Sequence, residues 1–145
     1  MNVISYKSRD LSPGILLDKE SGTFRISGMS CPEDAVEFYN QIFKWFDEYL
    51  ENPLKNTVMD FKMSYFNSVS AKIFLMIMTK LEDLSELGHD IKIRWFYNED
   101  EDDLEEAGEE YENIVDVEFE LIPLRSKTID PENDDFFERL IDDLL

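Results

Sequence analysis

The sequence predicts an α/β fold: a mostly parallel, four- to five-stranded sheet opened by an N-terminal hairpin, with helices packed against it. Three observations lead there. Runs rich in β-branched and apolar residues alternate with stretches of helical periodicity, the pattern of strand–helix–strand units. Turn chemistry at Lys19-Glu20-Ser21-Gly22 separates two short alternating strands. The chain has 145 residues, 43% hydrophobic and 13% aromatic, enough for one buried core without staples. Right-handed crossovers make the later strands parallel, and the hairpin supplies an antiparallel edge.

Met1 to Pro13 reads as a loose lead-in. Gly14–Asp18 and Thr23–Ser27 form the hairpin, with Phe24 and Ile26 on the buried side. Gly28 to Asp34 contains the signals of a helix start, Pro32 followed by Glu33 and Asp34. That helix runs to about Leu50, with Val36, Tyr39, Phe43, Phe46 and Leu50 as its stripe and Ile42 beside them. Its aromatic density exceeds what one core face needs; core packing explains most of it, and a partner surface is the alternative for the rest. Asn52-Pro53 ends it.

Asn56–Met63 is the next strand, and Val69–Leu87 the next helix, carried by Ile73, Ile77, Leu81 and Leu84. Between them, Asn67 and Ser68 are both good N-cap residues. Ile73–Met78 is apolar all round, so this helix is buried on several sides or partly exposed to a partner. Gly88 stops it as the residue after the cap, and His89 reads as a loop histidine. Asp90–Tyr97 is a strand. Asn98–Glu112 is an acidic run with a thin stripe of Leu104, Ala107, Gly108 and Tyr111, a solvated helix without an EF-hand pattern. Val115–Ile122 is the last strand, closed by Pro123. Asp130-Pro131 opens a C-terminal helix with a stripe of Phe136, Phe137, Leu140, Ile141 and Leu144, for the sheet or for a partner.

Formal net charge is −20, from 34 acidic and 14 basic residues. Such a surface repels nucleic acid and anionic lipid and attracts basic protein surfaces. No apolar run approaches the ~20 residues of a transmembrane helix, and the start lacks a signal-peptide core. The single cysteine, Cys31, fits a reducing cytoplasm. There is no glycine-rich phosphate loop and no Gly-x-Ser-x-Gly elbow. Cys31 and His89 lack a third orienting group, and the carboxylates lie on exposed helix faces. The expectation is a non-enzyme without catalytic residues, metal or cofactor. Asp60 and Lys62, within an apolar strand, either pair across the sheet edge or face solvent.

The candidate site is the strand-to-helix turn around Ser68. A hydroxyl there can cap the helix and nothing more, or accept a phosphoryl group that unpaired N–H groups would cradle.

The element order resembles the STAS domain of anti-anti-sigma-factor regulators, and more closely the SiaC family of regulatory phosphoproteins. The first half carries that resemblance in Ser12-Pro13, Asp18 with Gly22, Ile26-Ser27-Gly28, Ser30 with Pro32-Glu33-Asp34, Phe38-Tyr39, Trp45 and Tyr49-Leu50. The second half adds Tyr65-Phe66-Asn67-Ser68 with Ser70 and Lys72, Leu81-Glu82, Gly88-His89, Trp95-Phe96-Tyr97 and Ala107-Gly108-Glu109-Glu110. It spans about Leu11 to Ile122. Chain 1–145 then reads as one STAS-like domain with its core at about 11–122 and a linker and extra helix over 123–145.

The resemblance implies a switch. A Ser/Thr protein kinase adds a phosphate, a metal-dependent PPM-type phosphatase removes it, and the unphosphorylated form binds and activates a diguanylate cyclase in c-di-GMP signalling and biofilm formation. By position the phospho-acceptor falls on Ser68, with Ser70 as the alternative. The family often has Thr where this chain has Ser68, and Ser where it has Val69. The implied partner surface is Tyr65, Asn67, Ser68, Ser70 and Lys72. A protein-binding scaffold or anti-sigma-factor antagonist unphosphorylated at Ser68 is the alternative, and a homodimer stays open.

Overall fold

The computed structural model describes residues 1–125; the helix expected from Asp130 onward lies outside the described residues. Nine elements follow one another: β1 (Ile4–Tyr6), β2 (Gly14–Asp18), β3 (Thr23–Ser30), α1 (Ala35–Glu51), β4 (Asn56–Phe66), α2 (Ser68–Glu86), β5 (Asp90–Asn98), α3 (Asp102–Ile114) and β6 (Glu118–Leu124). The strands form one six-stranded sheet in sequence order. β1–β2 and β2–β3 are antiparallel; β3–β4, β4–β5 and β5–β6 are parallel. Because the order always advances in the same direction, right-handed crossovers put the three helices of the described residues on one face.

Two expectations about the sheet are corrected. The lead-in is not loose: Ile4–Tyr6 pairs with Ile15–Leu17, so the sheet has six strands, not four or five, and is mixed. Three residues are too few for a period-2 pattern to stand out. The last strand does not stop before Pro123 but runs through it, with Pro123 opposite Tyr97. Proline is tolerated there because β6 is an edge strand and its missing N–H points away from the sheet.

The α1 stripe is also rotated from its expected position. Buried α1 residues are Ala35, Tyr39, Ile42, Trp45, Phe46 and Tyr49, while Val36 is 74% exposed and Phe43 and Leu50 are half-buried. Six aromatics in one helix satisfy several phases of the 3.6-residue period, so spacing alone could not pick the inner face. The excess is absorbed by the core: Trp45 stacks on Tyr49 and meets Phe24 and Phe46 edge-on.

The core lies between the helices and Met59, Phe61, Ile93 and Trp95 of the central strands, all at most 0% exposed. α2 closes with the Schellman arrangement: His89 N donates to Leu84 O (3.1 Å), Gly88 N to Ser85 O (3.0 Å), and Gly88 has φ +98°. α3 packs flush on the sheet at Gly108, where a Cβ would fall 2.5 Å from Trp95 Cδ1 and 2.6 Å from Leu121 Cδ2. Trp95 Nε1 donates to Leu104 O (2.9 Å) on the same helix.

The opposite face of the central strands carries Asp60 and Arg94. They pair side by side in register, through Nε–Oδ1 and Nη2–Oδ2 contacts of 2.6 Å each, at 7% exposure apiece. Neither expectation for Asp60, edge pairing or solvent, describes this buried fork. Burial raises the Asp60 carboxyl above the ordinary range, with Arg94 and Arg25 pulling against it.

Two outcomes test this packing. Gly108→Ala should lower stability by about 1 kcal/mol, because crowding of 1–3 kcal/mol outweighs the roughly 1 kcal/mol gained in helix propensity; urea unfolding reads it. Arg94→Met should cost about 3–5 kcal/mol by stranding the Asp60 charge, whereas Arg94→Met with Asp60→Leu should recover most of that loss.

Candidate functional site

β4 ends at Phe66 and the chain enters α2 within one residue. Asn67 makes the turn in an extended conformation (φ −86°, ψ 176°). Its Oδ1 accepts the N–H of Ser70 (2.9 Å) and its carbonyl accepts that of Ala71 (2.9 Å). Asn67 is therefore the N-cap and Ser68 the first helical residue. Of the two expected cap candidates Asn67 takes the role, and Ser68 is not needed for it, because the asparagine amide already reaches the third N–H. Ser68 is exposed, and its N–H and that of Val69 precede any intrahelical acceptor. The first turn of α2 has no acidic residue. The positive end of the helix dipole thus meets an exposed hydroxyl with no carboxylate from its own turn against it.

Ser70 is the opposite case. It is 0% exposed, its Oγ donates to Ser30 O (2.8 Å) and lies 2.8 Å from Ser30 Oγ. Ser30 Oγ in turn meets the Tyr39 hydroxyl at 2.6 Å. One proton assignment satisfies all of them: Tyr39 donates to Ser30, Ser30 to Ser70, and Ser70 to the Ser30 carbonyl. Burial holds the Tyr39 phenol protonated well above its ordinary range, although the Ser30 bond opposes the shift. Ser70 therefore drops out of the expected partner surface. Its hydroxyl is consumed inside the fold.

Three elements hold this helix start. The β3–β4 register shifts at Gly28/Met29, where Ser64 is the extra residue on β4, and Gly28 has φ +87° with Ser8 Oγ 2.5 Å from where a Cβ would stand. The bulge resets the register so that Ser30 lies opposite Phe66, where its carbonyl also accepts the Asn67 N–H (3.2 Å). α1 contributes Tyr39, and α3 contributes Tyr111, whose hydroxyl donates to Ala71 O (2.7 Å). Sequence reasoning gave none of Ser30, Tyr39 or Tyr111 this role. Ser30 and Ser70 are separated by 40 positions, and no local pattern links them.

Around Ser68 the surface is partly apolar. Tyr65 is 54% exposed, Val69 46% and Met76 52%, with exposed Lys72 between the last two at helical spacing. The apolar run Ile73–Met78 is thus split: Ile73, Phe74, Ile77 and Met78 are buried, and Met76 faces out. Beside Tyr65 lies an open cleft of about 290 Å³ lined by Ser64, Tyr65, Phe66, Glu101, Asp103 and Leu104. Tyr65, Ser68 and Lys72 are brought to one exposed region, and Asn67 borders it half-buried.

The other candidates do not converge. Cys31 follows Ser30 beside the start of α2, and His89 follows its end, separated by a helix of 19 residues, about 28 Å. Among the described residues no group of three or more His, Cys, Asp or Glu side chains is placed to hold a metal ion. Among them also, no helix is long and apolar enough to cross a membrane.

Known proteins share this fold. The family model described as "SiaC family regulatory phosphoprotein" matches residues 6–124. An uncharacterised protein of Pseudomonas aeruginosa strain UCBPP-PA14 is 26% identical over 110 residues, covering 76% of this chain and 87% of that one. The crystal structure of apo-SiaC from Pseudomonas aeruginosa has the same fold, with a TM-score of 0.78 at 24% identity over 84% of this chain and 99% of that one. A chain from the crystal structure of the diguanylate cyclase SiaD in complex with its activator SiaC, also from Pseudomonas aeruginosa, superposes with a TM-score of 0.79. It is 23% identical over 83% of this chain and 99% of that one. With the family model spanning nearly all the described residues, the chain belongs to the SiaC family of regulatory phosphoproteins.

Proposed function

We propose that this chain is a non-enzymatic, cytoplasmic switch. A Ser/Thr protein kinase phosphorylates Ser68, a metal-dependent PPM-type phosphatase restores the hydroxyl, and the unphosphorylated form binds and activates a diguanylate cyclase, so acting on c-di-GMP signalling and biofilm formation. The observation that carries the reading is the exposed Ser68 hydroxyl at the first helical position, with Asn67 already serving as cap. Family membership supports the phosphoprotein class. The cyclase class comes from the relative: SiaC of Pseudomonas aeruginosa is the activator of the diguanylate cyclase SiaD.

The physical logic favours Ser68 over Ser70. A kinase would have to open the Ser30–Ser70–Tyr39 hydrogen bonds to reach Ser70. A phosphate on Ser68 adds about −1.5 to −2 charge where the helix dipole welcomes it, so the fold need not change. In a partner interface built on Tyr65, Val69, Lys72 and Met76 the same phosphate would have to be desolvated. Unpaired, that costs several kcal/mol, which is enough to break binding. Lys72, one turn along from Ser68, is the nearest cation on the exposed stripe and is the residue to pair with a partner's carboxylate when no phosphate is present.

Titration of the cognate cyclase by calorimetry tests the gate. Ser68→Ala should bind within about threefold of the unmodified protein. Ser68→Asp should bind at least ~100-fold more weakly, about 2.7 kcal/mol. Thermal unfolding of Ser68→Asp should be unchanged or slightly raised, since an acid at this end of a helix is worth about 0.3–1 kcal/mol. Equal affinity of the two variants would sink the gate. The acceptor is checked by mass spectrometry of the tryptic peptide Met63–Lys72 from the protein's own cells. Phosphate on Ser68 is expected; an unmodified peptide under growing and starved conditions points instead to the scaffold reading.

A further inference from the structure

An open cleft of about 460 Å³ lies where β1, the Arg9–Ser12 turn and the start of α1 meet. Its apolar wall is Tyr6, Pro13 and Phe38. That wall is preformed: the Tyr6 hydroxyl donates to Gln41 Oε1 (2.7 Å), and the Tyr6 ring rests tilted against Phe38 at 6.1 Å. The turn is closed on itself, with Arg9 N donating to Ser12 O (3.0 Å) and Ser12 N to Arg9 O (2.6 Å). Lys7 and Arg9, both exposed, complete the lining. Among the described residues neither side chain takes part in a hydrogen bond or an ion pair. In a chain with 34 acids and 14 bases, a cleft lined by two cations and no acid runs against the rest of the surface. The acids on the neighbouring segments are Asp10 in the turn and Glu33, Asp34 and Glu37 around the start of α1; none of them lines the cleft. Asp34 is engaged as the helix cap, where its Oδ1 accepts the Glu37 N–H (3.1 Å).

The cleft opens at the same end of the sheet as Ser68. Leu11 O accepts the Cys31 N–H (2.7 Å) and Ser30 O accepts that of Asn67 (3.2 Å), so the two turns grip adjacent residues of β3's end. From β1 to β4 is about 14 Å at the usual strand spacing, well inside a partner footprint of about 800 Å². Leu11 in the turn and Val36 at the start of α1 are exposed at this end too.

We propose that this cleft is a second docking point for the protein partner gated at Ser68, and that it takes a carboxylate-bearing, otherwise apolar segment of that partner. Lys7 and Arg9 pair with the carboxylates while Tyr6, Pro13 and Phe38 cover the apolar part. Only the identity of the partner rests on the Ser68 reading; the chemistry of the cleft does not. A carboxylate fits better than a phosphate, because phosphate sites are built from free backbone N–H groups. Here those of Arg9 and Ser12 are spent on each other, and that of Glu37 on Asp34. The acidic surface as a whole repels an acidic protein, so the contact acts at short range and fixes the register in which a partner sits.

Two measurements separate this docking point from the Ser68 gate. In the first, amide spectra of the isotope-labelled full chain are followed while a blocked Glu-Phe-Glu peptide is added. Saturable shifts are expected at Lys7, Arg9, Ser12 and Phe38, weakened by roughly 1 M salt and equally present in Ser68→Asp. They should vanish in Lys7→Glu with Arg9→Glu, whose unchanged thermal unfolding reports an intact fold. A blocked Lys-Phe-Lys peptide should leave the four amides in place. In the second, the cognate cyclase is titrated: the double charge reversal should bind about tenfold more weakly, and Lys7→Arg with Arg9→Lys within about threefold of the unmodified protein. Four amides that ignore the Glu-Phe-Glu peptide, or that still respond in the double reversal, would overturn the proposal. Inorganic phosphate giving the same shifts at lower concentration would overturn it in favour of a small-anion site. So would cyclase affinity indifferent to the double reversal, which would assign the cleft away from this partner. If the unmodified chain binds no cyclase, the Ser68 reading fails, and the peptide titration alone decides the cleft.

Discussion

The structure turns on how the end of β3 grips the start of α2. One residue, Ser30, offers a carbonyl and a hydroxyl to two residues of the next crossover, Asn67 and Ser70. Each bond is worth about 1 kcal/mol net, but an unpaired hydroxyl in this dry pocket would cost more than its bond returns. The arrangement is therefore close to all-or-none. With Ser70 drawn inward and Asn67 holding the turn, a residue two positions before Ser70 on a helix must face out. Ser68 is exposed as a consequence of what Ser70 is bonded to. The bulge between β3 and β4, with Ser64 as the extra residue across from Gly28 and Met29, is the upstream cause, since without the register reset Ser30 would not lie opposite Phe66.

Most of the fold could be read from local signals, and the misses share one cause. The hairpin, the three crossover helices and the stop at Gly88 each have signatures within a few residues of where they act. The extra strand at Ile4–Tyr6, the inner face of α1 and the run of β6 through Pro123 depend on what lies across the sheet. For Tyr39 against Val36 the decision belonged to Ser30 and Phe74, far off in sequence. At the candidate site the turn itself was legible, because Asn-Ser before a helix is a local pattern. The division of labour among Asn67, Ser68 and Ser70 was not, because burial of one serine and exposure of another is set by β3, α1 and α3 together. Tyr111 illustrates the limit: its place in the α3 stripe was predictable, its bond to the Ala71 carbonyl was not.

Charge is distributed with the same economy. A chain of net −20 has acids on its helices, turns and last strand, yet none lies in the first turn of α2. Where a carboxylate does enter the interior, at Asp60, it meets a guanidinium in fork geometry on the neighbouring strand. That pairing contributes directional registry between β4 and β5 more than net stability, because both ions lose their water.

The two margins of the sheet bear on solubility. A protein that leaves Tyr65, Val69 and Met76 open to water is exposed to self-association at any open strand as well. One margin is only three residues long, β1, too short to template a foreign strand. The other, β6, has Pro123 at its rim in place of a donor, and exposed Glu118 and Glu120 repel a second acidic chain. The exposed apolar side chains Val69 and Met76 sit on a helix and Tyr65 at the end of a central strand, away from the two backbone edges where any extended chain would fit.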